Sequence, residues 1–243
     1  MLFNGAGNCD DVDFKDPGER GQFVGNLSGL SFLLATNISF QCSMSVILQM
    51  PLQVPVLKRE LANNMYSPTA NILGKFTSNV ILQFIYPLTL VLVLFWGLGI
   101  STTFENFCFF VLLSFLHCVT MSAQGYWCGV CSDYDSVARE MNISLLLVYM
   151  LTSGGLANVN SFPVYITWVQ YINPVRYANQ AYFYILTRQI PNEAPDFVRD
   201  EIIKSYGYDA ITDAQCYWVL FGLMCMMLTL ALVTTNFRNR RFL

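Results

Sequence analysis

Five stretches of this sequence run without a single Asp, Glu, Lys or Arg: Gly21–Leu57, Phe76–Phe104, Asn106–Ser132, Met141–Val175 and Ala214–Phe237. Each is longer than the roughly 20 residues a helix needs to cross a hydrocarbon layer of about 30 Å. A buried helix of a soluble protein seldom runs so far without a charge. The whole chain is only 12% charged and 54% apolar, where an ordinary soluble domain carries about 25% charged residues. Water would meet an apolar surface; a bilayer removes that problem. The segments must be helices, because backbone groups in lipid need partners within their own segment. Outer-membrane barrel strands would alternate in polarity over about 10 residues, and Val80–Leu98 does not alternate.

The expected fold class is therefore all-α and polytopic. Predicted spans are Asn26–Met50, Ala70–Leu98, Phe104–Val130, Val137–Ala157 and Ala214–Asn236. Pro51 and Pro55 are expected to break the first helix, leaving Val56–Tyr66 as a short charged amphipathic helix. Ser67-Pro68 reads as the start of the next helix. Asn158–Gln189 is apolar and aromatic but interrupted by Pro163 and Pro174 and carries Arg176. It reads as a re-entrant or interfacial hairpin, with Tyr165, Trp168, Tyr171, Tyr177, Tyr182 and Tyr184 in the headgroup zone.

Orientation follows from the basic residues. Lys58, Arg59, Lys75, Arg139, Arg238, Arg240 and Arg241 lie compactly against span ends. Lys15, Arg20, Arg176, Arg188, Arg199 and Lys204 lie in longer, acidic loops, where the rule is weak. The first set is placed in the cytosol, with the C-terminus, in a multi-pass protein of the plasma membrane or an internal membrane.

Chemistry-bearing motifs are sparse. No G-x-x-x-x-G-K-[ST] is present to cradle a nucleotide, so no cofactor is expected on this chain, and no catalytic triad or metal site is expected. Cys128-Gly-Val-Cys131 has metal-pair spacing, but no second pair or nearby His completes it. Cys9 and Cys216 fall in exoplasmic segments that permit a disulfide. The single His, His117, lies within a span. Packing against a hydrogen-bonded neighbour explains it better than a proton relay, since no Asp or Glu lies in any span. Thr36, Asn37 and Gln41 fall on or near one helical face, with Phe40 between them. Interhelical hydrogen bonding and a ligand-facing cavity wall explain them equally well.

Three longer motifs carry a resemblance. Val54–Lys75 reads VPVLKRELANNMYSPTANILGK, Gly29–Phe40 reads GLSFLLATNISF, and Ser153–Tyr177 reads SGGLANVNSFPVYITWVQYINPVRY. In order and interval they resemble the first cytosolic loop, the second membrane helix, and the fifth helix with its re-entrant segment in subfamily G ABC transporters. The similarity covers essentially the whole chain. It implies that Val56–Tyr66 is a coupling helix touching an ATPase domain, through Arg59, Glu60 and Tyr66. It implies a substrate cavity lined by Thr36, Asn37, Phe40, Leu147 and Met150. Its outward gate would be Leu156, since Gly155 leaves the neighbouring place empty. The family has six membrane helices, so the chain is expected to lack the first helix and the nucleotide-binding domain, on which ATP and Mg would sit. Expected partners are membrane lipid, a second half-transporter in a homo- or heterodimer, the ATPase domain and a hydrophobic small-molecule substrate such as a lipid, sterol or xenobiotic. No nucleic acid is expected. Rival readings are a channel or secondary transporter, or a non-transporting membrane subunit.

Overall fold

A computed structural model of the chain describes residues 17–63, 67–98, 104–132, 134–155, 164–188 and 212–239. All regular structure among them is helical. The elements are α1 (Pro17–Ala62), α2 (Pro68–Gln83), α3 (Ile85–Leu98), α4 (Phe104–Cys131), α5 (Asp135–Leu151), α6 (Val164–Ile172), α7 (Pro174–Thr187) and α8 (Asp213–Asn239). Four helical stretches are long and apolar enough to cross a membrane: Gly21–Gln49, Thr69–Gly97, Phe104–Cys131 and Ala214–Phe237. The chain is thus a multi-pass membrane protein.

Two expectations change. Pro51 and Pro55 do not break the first helix: α1 runs unbroken for 46 residues, and the expected coupling helix is its C-terminal end. Each proline removes one backbone donor, but the donors around it keep the helical run together. The expected fourth span is also shorter. α5 has 17 residues and is not among the four long apolar stretches. It stops because Gly154 takes φ 86°, a left-handed conformation that a glycine adopts at little cost. Thr152 N–H closes the last turn on Val148 O at 3.1 Å.

The first helix also starts earlier than Asn26, at Pro17, while the expected start of α2 holds. Ser67 Oγ accepts from Ala70 N at 3.3 Å with Pro68 in the first turn, an N-cap. α2 and α3 form one rod with an irregular point at Phe84. Pro87, three residues on, has no N–H to return to the Gln83 carbonyl, which explains the interruption.

α4 is the hub, packing against α1, α2, α3, α5, α7 and α8. Its seam with α1 is tight. A Cβ at Gly125 would lie 2.7 Å from the backbone oxygen of Ser43, so only a residue without a side chain lets the two backbones meet. One residue away, Cys42 is bridged by a disulfide to Cys118 of α4, with a Cα–Cα distance of 5.5 Å. Every residue of α7 except Tyr184 is buried. Tyr177 and Tyr182 are therefore buried in the protein, and Tyr182 donates to Ser114 Oγ at 3.1 Å. Trp168 and Tyr171 of α6 are exposed, as the aromatic pattern led one to expect.

Candidate functional site: a polar stripe on α1 beside α5

The spans differ in how much of themselves the single chain covers. The apolar window of α1 is 61% buried, against 17% for the α2–α3 rod and 28% for α8. What each leaves uncovered also differs. The α2–α3 rod exposes Leu73, Ile81, Leu82, Ile85, Val93 and Trp96. Its exposed hydroxyls, Thr77, Ser78 and Thr89, are returned to carbonyls of their own helix. α8 exposes Trp218, Phe221, Met226, Leu230 and Val233. These are surfaces suited to lipid.

α1 is unlike them. Leu33, Asn37 and Gln41 follow one another at four-residue spacing and all are exposed, so they form one stripe. Two amides in mid-span therefore point away from the chain's own core. Asn37 Nδ2 returns one proton to Leu33 O at 2.8 Å; its carbonyl oxygen keeps its acceptor capacity. Hydrocarbon offers such groups nothing, and leaving a polar group unpaired there costs several kcal/mol. This face is built to meet something other than acyl chains.

α5 borders the stripe. Asn142 Nδ2 donates to Ser43 Oγ at 3.1 Å, and Ile47 and Ala138 share an apolar cluster. That antiparallel register brings Asn37 opposite Val148 and Phe40 opposite Leu145. Leu147 and Met150 then fall within a turn of Asn37. Leu147 is 51% exposed and Met150 half-buried. Val148 and Leu151 are exposed beside them.

The expected cavity residues thus separate. Asn37 and Leu147 are exposed, and Phe40 and Met150 are half-buried. Thr36 is buried, and its hydroxyl donates to Phe32 O at 2.9 Å within its own helix. Arg59 is exposed and Glu60 half-buried in the last turn of α1, with Glu60 in electrostatic reach of Lys75 on α2. Tyr66 and Leu156 lie outside the described residues, as does Cys9 of the expected Cys9–Cys216 pair. Gln41, which the sequence already placed on or near the Asn37 face, is exposed with it, and Leu151, exposed one turn from Leu147, was open to detection by continuing the four-residue step.

Behind the stripe lies a buried polar seam. Ser39 Oγ gives its proton to Ala35 O at 2.6 Å and lies 3.1 Å from His117 Nε2. The contact ties α4 to α1 through the imidazole. His117 is a hydrogen-bonded packing residue, as its lack of acidic neighbours in sequence indicated. Two turns along α4, Gln124 Nε2 donates to Asn142 Oδ1 at 3.3 Å. Beyond it Gln83 Nε2 donates to Ser45 Oγ at 2.7 Å, and Ser122 donates to Gln83 Oε1. These bonds fix which face of α1 turns inward and so which face is left for Asn37 and Gln41. No group of three or more metal-ligating side chains occurs among the described residues.

The family described as ABC-2 type transporter matches residues 12–187. Protein white of Ceratitis capitata is 27% identical over 157 residues, which is 65% of this chain and 23% of that protein. Protein scarlet of Drosophila melanogaster is 28% identical over 170 residues, 68% of this chain and 25% of that protein. The ABC transporter ATP-binding protein/permease wht-3 of Caenorhabditis elegans is 22% identical over 187 residues, 76% and 31% respectively. The chain spans about a quarter of the length of these relatives.

Proposed function

From the premise that the chain belongs to the ABC-2 type transporter family, we propose that it is the membrane-spanning part of an ATP-driven transporter that moves amphipathic or hydrophobic molecules, such as lipids, sterols or xenobiotics, across a membrane. ATP and Mg would be handled by a nucleotide-binding domain, not by this chain. Two copies, or this chain and a related half, would face each other across the α1–α5 surface, with the C-terminus in the cytosol. The α5 helix would count as a fifth span, and α6–α7 as a re-entrant segment.

The observation that carries this reading is the exposed pair of amides, Asn37 and Gln41, on a surface without charges. It suits a cargo that is mostly apolar and offers one or two hydrogen-bonding groups. Ions would need charged or carbonyl-lined ligands instead. Asn37→Leu with Gln41→Leu in the assembled transporter is expected to raise the cargo concentration needed for half-maximal ATPase stimulation about tenfold, the loss of about one hydrogen bond. An unchanged value would overturn the assignment of this face to cargo.

Arg59 and Glu60 would couple the helix to the ATPase. Glu60 is steadied from the α2 side by Lys75, which leaves the exposed Arg59 as the contact. Arg59→Glu is expected to cut transport per ATP hydrolysed about tenfold, the usual scale for a contact arginine. Cargo flux and phosphate release measured together in vesicles check this; a preserved ratio would place coupling elsewhere.

A further inference from the structure

Arg176 is only 5% exposed, and its Nε and Nη1 have no hydrogen-bond partner. Such a group is out of balance. Arginine does not shed its proton in proteins, and a buried charge without a partner is strongly unfavourable. The rings of Tyr171 and Tyr177 lie 5.9 Å from its Cζ, which suits the flat faces of a guanidinium and leaves Nε and Nη1 without a partner. The start of α7 adds to the positive field there.

Asn173 Oδ1 accepts from Val175 N and Arg176 N at 2.9 and 3.4 Å. Tyr177 OH donates to Tyr171 O at 3.2 Å, pinning the end of α6 to the start of α7. Trp168 and Tyr171, each 62% exposed, line the α6 side. Exposed aromatics with one apolar and one wet side mark headgroup depth.

We infer that the α6–α7 elbow is a receptor for the phosphate of a phospholipid headgroup, with the N–H edge of Arg176 as its donor and Tyr171 and Tyr177 as its walls. A guanidinium N–H and a phosphate oxygen make a charge-assisted hydrogen bond, stronger than one between neutral groups. The bound lipid would be a structural one, seated on the α6–α7 elbow.

The test is native mass spectrometry of the chain purified from membranes in mild detergent, counting phospholipid held through stepwise delipidation. One phospholipid per chain is expected to persist. Arg176→Gln should lower its retention about tenfold, the loss of one charge-assisted bond, and Arg176→Lys should fall between. A second arm needs no variant. A short-chain phosphatidylglycerol should raise the thermal midpoint of delipidated protein, while the matching diacylglycerol and inorganic phosphate alone should not. Equal retention by Arg176→Gln, equal stabilisation by the phosphate-free lipid, or full stabilisation by inorganic phosphate would each overturn the proposal.

Discussion

Asn173→Ala is expected to destabilise the chain by about 3–5 kcal/mol, lowering its thermal midpoint in detergent by roughly 10 °C. Asn173 is fully buried and uses both ends of its amide. The oxygen caps α7. The nitrogen donates to Tyr149 O at 2.8 Å and Thr152 Oγ1 at 3.0 Å, at the last turn of α5. One side chain thus ends one helix and starts another. Losing the cap costs about 1 kcal/mol, and each buried group left unpaired adds about 1–3 kcal/mol. Asn173→Ser separates the two halves: its hydroxyl can still cap α7 but cannot reach α5. It should show an intermediate midpoint. A serine variant as impaired as the alanine one would mean that the cap contributes nothing.

Gly125→Leu is expected to be worse, abolishing the folded bundle or its yield, and Gly125→Ala to cost about 1–3 kcal/mol. The added carbon meets the Ser43 carbonyl, which is backbone and cannot rotate away. The α1 and α4 helices must separate, and that pulls Ser43 from Asn142. Gly25→Ala is the control, since a Cβ there meets nothing within 4 Å. Thermal unfolding of the three variants side by side checks this; an alanine variant at position 125 matching the one at position 25 would show that the seam yields freely.

Span positions were legible because lipid imposes a one-dimensional rule, and Phe104–Val130 differs from α4 by a single residue. Helix ends were less so. A proline is visible in sequence, but whether a helix survives it depends on what packs along it, and α1 survives two. The start of α7 could have been read: Asn followed by Pro is a cap followed by a first-turn residue. The candidate surface was half legible. Asn37 and Thr36 are adjacent, so they are about 100° apart on a helix, and sequence could not say which of them faces inward. The neighbours that decide it, Ser43 with Asn142 and Ser39 with His117, lie 99 and 78 residues apart in sequence. Arg176 was legible as a charge among apolar residues, but its burial is a property of α7 as packed.

The uninterrupted α1 has a mechanical consequence. At 1.5 Å per residue it is a rod of about 69 Å, held closest to its neighbour at Ser43, where the Gly125 contact lies beside the Cys42–Cys118 bridge. If α1 turns as a unit, that point is its pivot. The arm from it to Arg59 is about 24 Å, and the arms to Asn37 and Gly21 are about 9 and 33 Å. A sideways push of about 5 Å at Arg59 then swings Asn37 by about 2 Å and Gly21 by about 7 Å, in the opposite sense. The lever trades travel for force at the amides and opens widest at its far end. Pro51 and Pro55 lie on the driven arm, where lost backbone bonds make the rod most compliant.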